Sequence, residues 1–280
     1  MSVDLRLMAV HAHPDDESSK GAASTRKYVD EGIEVTVVTC TGGEAGSFLN
    51  EQYVIPQGVD ISTLRRDEMA RAQEILGVNH VWLGYIDSGM DEPLPPHSFS
   101  QLPLDEVSRP LAEQIRRVRP QVVTTYDENG GYPHPDHIRT HQATMRAIEL
   151  AADSSVEIAG EPWSVQKVYY HHTFSRSKTV ALHEAMVSRG LSSGFEEWLA
   201  DWSEENDNFK RVTTRVSCHE YFPVRDAALR AHATQVDPDG DWFRVPAEVE
   251  VEIWPTEDFE LAYSTIGSEL PETDLFAGLR

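Results

Sequence analysis

The chain has 280 residues, 40% apolar and 25% charged, enough to bury a substantial core and too apolar for a disordered polymer. Its 47 Asp and Glu against 24 Lys and Arg leave a net charge of −23, which repels nucleic acid and anionic membranes and fits a very soluble or halotolerant protein. Residues 1–10 carry no secretory leader pattern, no run approaches the ~18 apolar residues of a membrane span, and two cysteines 178 positions apart predict a reduced, cytoplasmic chain without disulfides.

Residues 5–10 read as a short strand, followed by a polar turn and a helix to about residue 30. A second strand covers 33–39 and stops at the turn Gly42-Gly43. Over 62–76, Leu64, Met69, Ala72, Ile75 and Leu76 recur at helical spacing, and Gly77 is placed to end the helix. A third strand follows at 80–84. Four prolines mark 89–103 as loop. A helix over 104–118 stops before Pro120, a fourth strand covers 121–126, a helical pattern resumes at Ile138, and a fifth strand covers 165–171. Beyond it, helices near 195–202 and over 224–236 and a strand at 211–218 are visible. Strand and helix alternate with short connections through the first 170 residues. That predicts an open, mostly parallel, Rossmann-like α/β sheet with helices on both faces. Residues 171–280 form a smaller α+β portion packed on the 1–170 core and bordering its cleft.

In such sheets ligands lie beyond the carboxyl ends of the strands. The first strand runs directly into His11-Ala12-His13-Pro14-Asp15-Asp16-Glu17. Pro14 suits the first position of a helix and Asp16 and Glu17 its first turn. His13 and Asp16, three apart, then share a helical face, with Asp15 rotated off it. Taken alone, this triplet of carboxylates can be a helix cap. The fourth strand, however, ends in Asp127-Glu128-Asn129-Gly130-Gly131-Tyr132-Pro133-His134-Pro135-Asp136-His137, where two histidines are again three apart beside a proline. This run alone can be a proline-rich turn with solvent-facing histidines. The same pattern at two strand ends argues for one site. His13, Asp16 and His137 supply the two-histidine, one-carboxylate set of hydrolytic zinc sites. Asp15 is left as the general base for the attacking water. His134, followed by Asp136, can be held protonated and stabilise an oxyanion or a leaving amine, and Tyr132 can donate to the same oxyanion.

These two motifs resemble those of the LmbE-like (PIG-L) family of zinc-dependent de-N-acetylases. Thr41-Gly42-Gly43-Glu44-Ala45-Gly46 is similar to the family's second loop, and Arg65-Arg66-Asp67-Glu68 with Leu76-Gly77 to its helix. The resemblance covers nearly the whole chain. It implies one Zn2+ per chain held by His13, Asp16 and His137, with Asp15 as base and His134 and Tyr132 serving the oxyanion. It also implies that an arginine and Asp87 hold a sugar-inositol. Arg65 is preferred to Arg66 because it shares a face with Met69, Ala72 and Leu76, although a purely structural role for it stays open. Runs 11–23, 124–137 and 231–235 are most similar to the family branch that cleaves a thiol conjugate of a glucosaminyl-inositol amide. The sister branch removes acetate from N-acetylglucosaminyl-inositol and differs at the position of Lys20. The expected partner is therefore a small-molecule thiol conjugate, with Lys20 either touching it or solvated. His232 and Gln235 either border the cleft or form a core-facing polar pair.

Overall fold

A computed structural model describes residues 4–54 and 56–280. Strands β1 (Arg6–His11), β2 (Glu34–Thr41), β3 (Asn79–Tyr85), β4 (Val122–Thr125) and β5 (Lys167–His171) run parallel. With β6 (Thr214–Ser217) and β7 (Thr256–Ser264), they give seven strands among the described residues, ordered β3-β2-β1-β4-β5-β7-β6. β7 is antiparallel to both β5 and β6. The order reverses between β1 and β4, and the crevice outside that switch point is where an open sheet binds its ligand.

Side-chain alternation along β1 builds two cores. Leu7 and Ala9 face one side with Val35 and Val37, covered by α2 (Ala22–Asp30) through Tyr28 and α3 (Ile61–Leu76) through Met69, Ala72 and Leu76. Met8 and Val10 face the other with Val38 and Val123, covered by α4 (Leu104–Val118) through Leu111 and Ile115 and α5 (Pro135–Ala152) through Ala143 and Ala147. A parallel strand buried on both faces reads as a continuous apolar run, which is how β1 reads. A third cluster, Leu182, Met186, Phe195 and Trp254, gathers α6 (Arg176–Ser188) and the start of α7 (Glu196–Asp201). α8 (Phe222–Ala231) packs back on α3, and α9 (Ala247–Ile253) on α6.

The expected elements are present with three differences. The first helix is divided into α1 (Asp16–Ser19) and α2, because Lys20 is extended and Gly21 takes φ 80°. A Cβ on Gly21 would stand 2.6 Å from His171 Cε1, so the break lets β5 approach closely. The helix expected over 224–236 ends at Ala231, which takes His232 and Gln235 off it. Strand β7 and helices α6 and α9 were not anticipated. Cys40 and Cys218 are free and buried, and no described helix is long and apolar enough to cross a membrane.

Candidate active site

After β1 the chain turns through His13-Pro14-Asp15 and enters α1 at Asp16. His13 thus precedes the helix instead of sharing its first turn, and Pro14 lies before the helix as well. Asp15 takes φ 114°, ψ −26°, a conformation rare for a residue with a Cβ. Two groups hold it there. Its N–H donates to Glu17 Oε2 (2.9 Å), and its Oδ2 accepts from Arg65 Nη2 (2.9 Å). Burial raises the Asp15 pKa, Arg65 pulls it back, and the neighbouring Asp16 charge leaves it above the ordinary carboxylate value.

Asp16 Oδ2 accepts from the His13 N–H (3.0 Å) and the Tyr126 hydroxyl (2.7 Å), and Oδ1 accepts from Lys20 Nζ (2.6 Å). Burial opposes its charge, but Lys20, His137 and His13 outweigh burial and hold the carboxyl well below its usual range. His137 lies in the first turn of α5, which starts at Pro135 and not at Ile138. Its Nδ1–H donates to Gly130 O (2.9 Å), an assignment that leaves Nε2 as a bare lone pair. That Nε2 is buried, has no hydrogen-bond partner and points at Asp16 Oδ2, 3.4 Å away.

This orphaned nitrogen tests whether a metal fits. His13 Nδ1 lies 3.6 Å from the same Asp16 oxygen, and one ligand atom each from His13, Asp16 and His137 fall within 4.8 Å of one another. Tetrahedral bonds of ~2.0–2.2 Å put ligand atoms about 3.3–3.6 Å apart, so the set fits a zinc-like cation. The backbone carbonyl behind His137 is the usual second partner of a metal-bound imidazole. His13, His134 and Asp136 form an overlapping group. There, however, His134 Nδ1 already accepts from the Asp136 N–H (3.1 Å), and Asp136 Oδ2 from the Ser88 N–H (2.8 Å).

His134 caps α5 through that Nδ1, which puts the proton of the neutral ring on Nε2. Burial lowers its pKa to about 4, and His13 and His137 push the same way. This corrects the expectation that Asp136 keeps His134 charged. The Asp136 carboxylate lies against His13 Nε2 (3.4 Å) instead. Neutral His134 remains a donor through Nε2–H. Tyr132 is half-exposed, its ring 4.5 Å from that of His137 and 6.0 Å from that of His134.

The residues assigned to substrate divide. Lys20 reaches the cleft but spends its charge on Asp16. Arg65 is buried, donating to Gly43 O (2.6 Å), Pro14 O (2.9 Å) and Asp15. Asp87 is buried, accepting from Ala45 N–H (3.1 Å) and Gly89 N–H (2.8 Å), with Oδ1 3.5 Å from His13 Nε2. For either to hold a sugar it would have to exchange those partners. Gln235 borders the cleft, whereas His232 is buried and meets Glu17 Oε1 at 2.7 Å.

Three residues have roles that the sequence does not show. Glu17 braces Asp15 and pairs with His232, 215 positions away, a contact no spacing reveals. Tyr126 links Asp16 to the Ala12 N–H, and its position at the end of the fourth strand was the available signal. Gly130 supplies the carbonyl for His137.

The model of the PIG-L family, GlcNAc-PI de-N-acetylase, matches residues 8–148, which span both motifs. The chain belongs to this family. Among PIG-L relatives it is 53% identical to the mycothiol S-conjugate amidase of Streptomyces coelicolor, covering 100% of this chain and 99% of that one. It is 39% identical to the 1D-myo-inositol 2-acetamido-2-deoxy-alpha-D-glucopyranoside deacetylase of Thermobispora bispora, over 99% of each. The N,N'-diacetylchitobiose deacetylase of Pyrococcus horikoshii shares the fold of this PIG-L member at TM-score 0.61 and 18% identity, over 91% of this chain and 83% of that one.

Proposed function

We propose that the chain is a zinc-dependent amidase of mycothiol S-conjugates, releasing a mercapturic acid and glucosaminyl-inositol and so disposing of electrophiles captured by the thiol. It is a hydrolase of a non-peptide C–N bond. The observation that carries the reading is the 53% identity to the amidase across the full length of both chains, against 39% to the deacetylase. The two free, buried cysteines fit a reducing cytoplasm. Residues 171–280 are read as a portion packed on the 1–170 core, since they supply the cleft residues His171, Phe174, Gln235 and Trp242.

Zinc held by His13, Asp16 and His137 would supply Lewis-acid activation of water and of the amide carbonyl. The chain's own groups do the rest. Asp15, its side chain 23% exposed toward the cleft and its pKa raised, takes the proton of the attacking water and returns it to the leaving amine. Arg65 fixes the direction of that carboxylate, and Glu17 holds the Asp15 backbone. His134 Nε2–H and the Tyr132 hydroxyl donate to the developing oxyanion. Asp136 and Asp87 orient His13, and Lys20, beside Asp16, offers an ammonium at the cleft where a sugar would lie.

The zinc-loaded protein is expected to cleave a mycothiol S-conjugate in preference to N-acetylglucosaminyl-inositol; release of acetate alone would assign it to the deacetylase branch. Asp15→Asn should retain zinc by elemental analysis and lose ~10²–10⁴-fold in kcat. Full activity in that variant would remove Asp15 from the mechanism.

A further inference from the structure

The cleft does not stop at the metal ligands. Ser19, His171, His172, Phe174, Leu229 and Trp242 line it and also line a second cavity of about 310 Å3. The far wall of that cavity is apolar. Leu182 and Phe195 are buried in it, Val245 backs it, and Trp198 edges it. Phe174 and Trp242 lie 5.5 Å apart between ring centroids, are 47% and 39% exposed, and belong to both cavities, so they frame the passage.

The charged groups that line the rest of the cavity already have partners. Arg225 donates to Glu250 (2.7 Å), Lys178 lies 3.6 Å from the same carboxylate, and Asp258 accepts from Arg215 (3.1 Å) and the Trp254 indole (2.7 Å). Apart from the unpartnered His171 Nε2 where the two cavities meet, what remains free to bind is mainly aromatic and aliphatic surface. Release of acetate alone would need no such annexe. In the amidase reaction, the S-linked group hangs on the acyl side of the scissile amide, a few bonds from the reacting carbonyl. A cavity sharing walls with the catalytic cleft is within that reach. An engineered cavity of ~150 Å3 takes benzene, so about 310 Å3 accommodates a bicyclic aromatic group.

Resting on the amidase reading, we propose that this cavity is the binding site for the S-substituent and selects conjugates of apolar, aromatic electrophiles, with Phe174 and Trp242 flanking the substituent as it enters. The test is kcat/KM of the zinc enzyme for conjugates bearing S-methyl, S-benzyl and S-naphthylmethyl groups. The naphthylmethyl-to-methyl ratio should exceed about tenfold, the scale of discrimination by an apolar pocket. Val245→Trp, which fills the cavity, should cut that ratio about tenfold, and Trp198→Ala, at its exposed edge, should cut it severalfold. A flat series in the unmodified enzyme, or a ratio unmoved by both variants, overturns the pocket while leaving the amidase standing. Failure to cleave every conjugate, with acetate released from N-acetylglucosaminyl-inositol, overturns the amidase reading and the pocket with it.

Discussion

Gly130 and Gly131 both take positive φ, 76° and 74°, so a side chain at either carries similar backbone strain. Only at Gly130 is the space taken. A Cβ there would stand 2.6 Å from His137 Cβ and 2.8 Å from Tyr132 O, whereas at Gly131 it would meet nothing within 4 Å. Gly130→Ala is therefore expected to displace His137 and weaken zinc binding by ~10–100-fold, as loss of a ligand's supporting partner does. Gly131→Ala should cost stability with little change in affinity. Competition with a chelator measures both, and equal losses would mean that strain alone matters. At this scale the sequence is informative about which groups meet and poor about what braces them. The meeting of His13, Asp16 and His137 is legible because the fold brings two strand ends together and each end repeats one pattern. Glu17, Arg65 and Asp136 took up roles as braces that depend on side-chain direction, which spacing does not carry. The charge state of His134 is not legible for a related reason: Asp136 does favour its charge, but burial and the two neighbouring histidines, none of which spacing shows, outweigh it.

Among the elements, β1 to β5 and α3 to α5 were visible because the parallel core imposes apolar runs and regular helical stripes. Strand β7 was not, because it carries Glu257, Asp258 and Glu260 among its apolar residues. α6 and α9 bury one side against each other and lack a clean stripe. Much of what joins them is polar. Glu250 on α9 accepts from Arg225 on α8 (3.0 and 2.7 Å) and lies 3.6 Å from Lys178 on α6. Burial opposes the Glu250 charge, the Arg225 contact offsets it, and its pKa ends below the ordinary value. A carboxyl with a depressed folded pKa contributes stability above its unfolded pKa of ~4.3 and loses that contribution as pH falls through the folded value. Glu250→Gln should thus destabilise by about 1–3 kcal/mol at neutral pH. The gap to the parent should narrow below about pH 4.3. Urea unfolding on both sides of that pH reads the difference, and a gap independent of pH would show that the carboxylate charge is not what joins these helices.

For the molecule as a whole, the segment after β7 returns to pair through Glu272 with Thr214 of β6 and is fastened by a buried ion pair. Lys167 Nζ on β5 donates to Glu272 Oε1 (2.6 Å), while Glu272 Oε2 accepts from Tyr169 (2.5 Å) and Thr214 (3.2 Å). A buried pair adds little net stability when intact, yet removing one partner strands a charge. Lys167→Met is expected to cost ~3–5 kcal/mol, and adding Glu272→Gln to recover part of it. Thermal unfolding of the single and double variants decides this; additive losses would contradict the pairing.

The position of β7 has a further consequence, for synthesis. It leaves the ribosome after β5 and β6, yet it lies between them. Until it emerges, β6 has no neighbour in the sheet and β5 presents an open edge. An open edge is a template for pairing with another nascent chain. A truncated translation product ending before residue 256 would carry both metal motifs, and it would carry that adhesive edge with them.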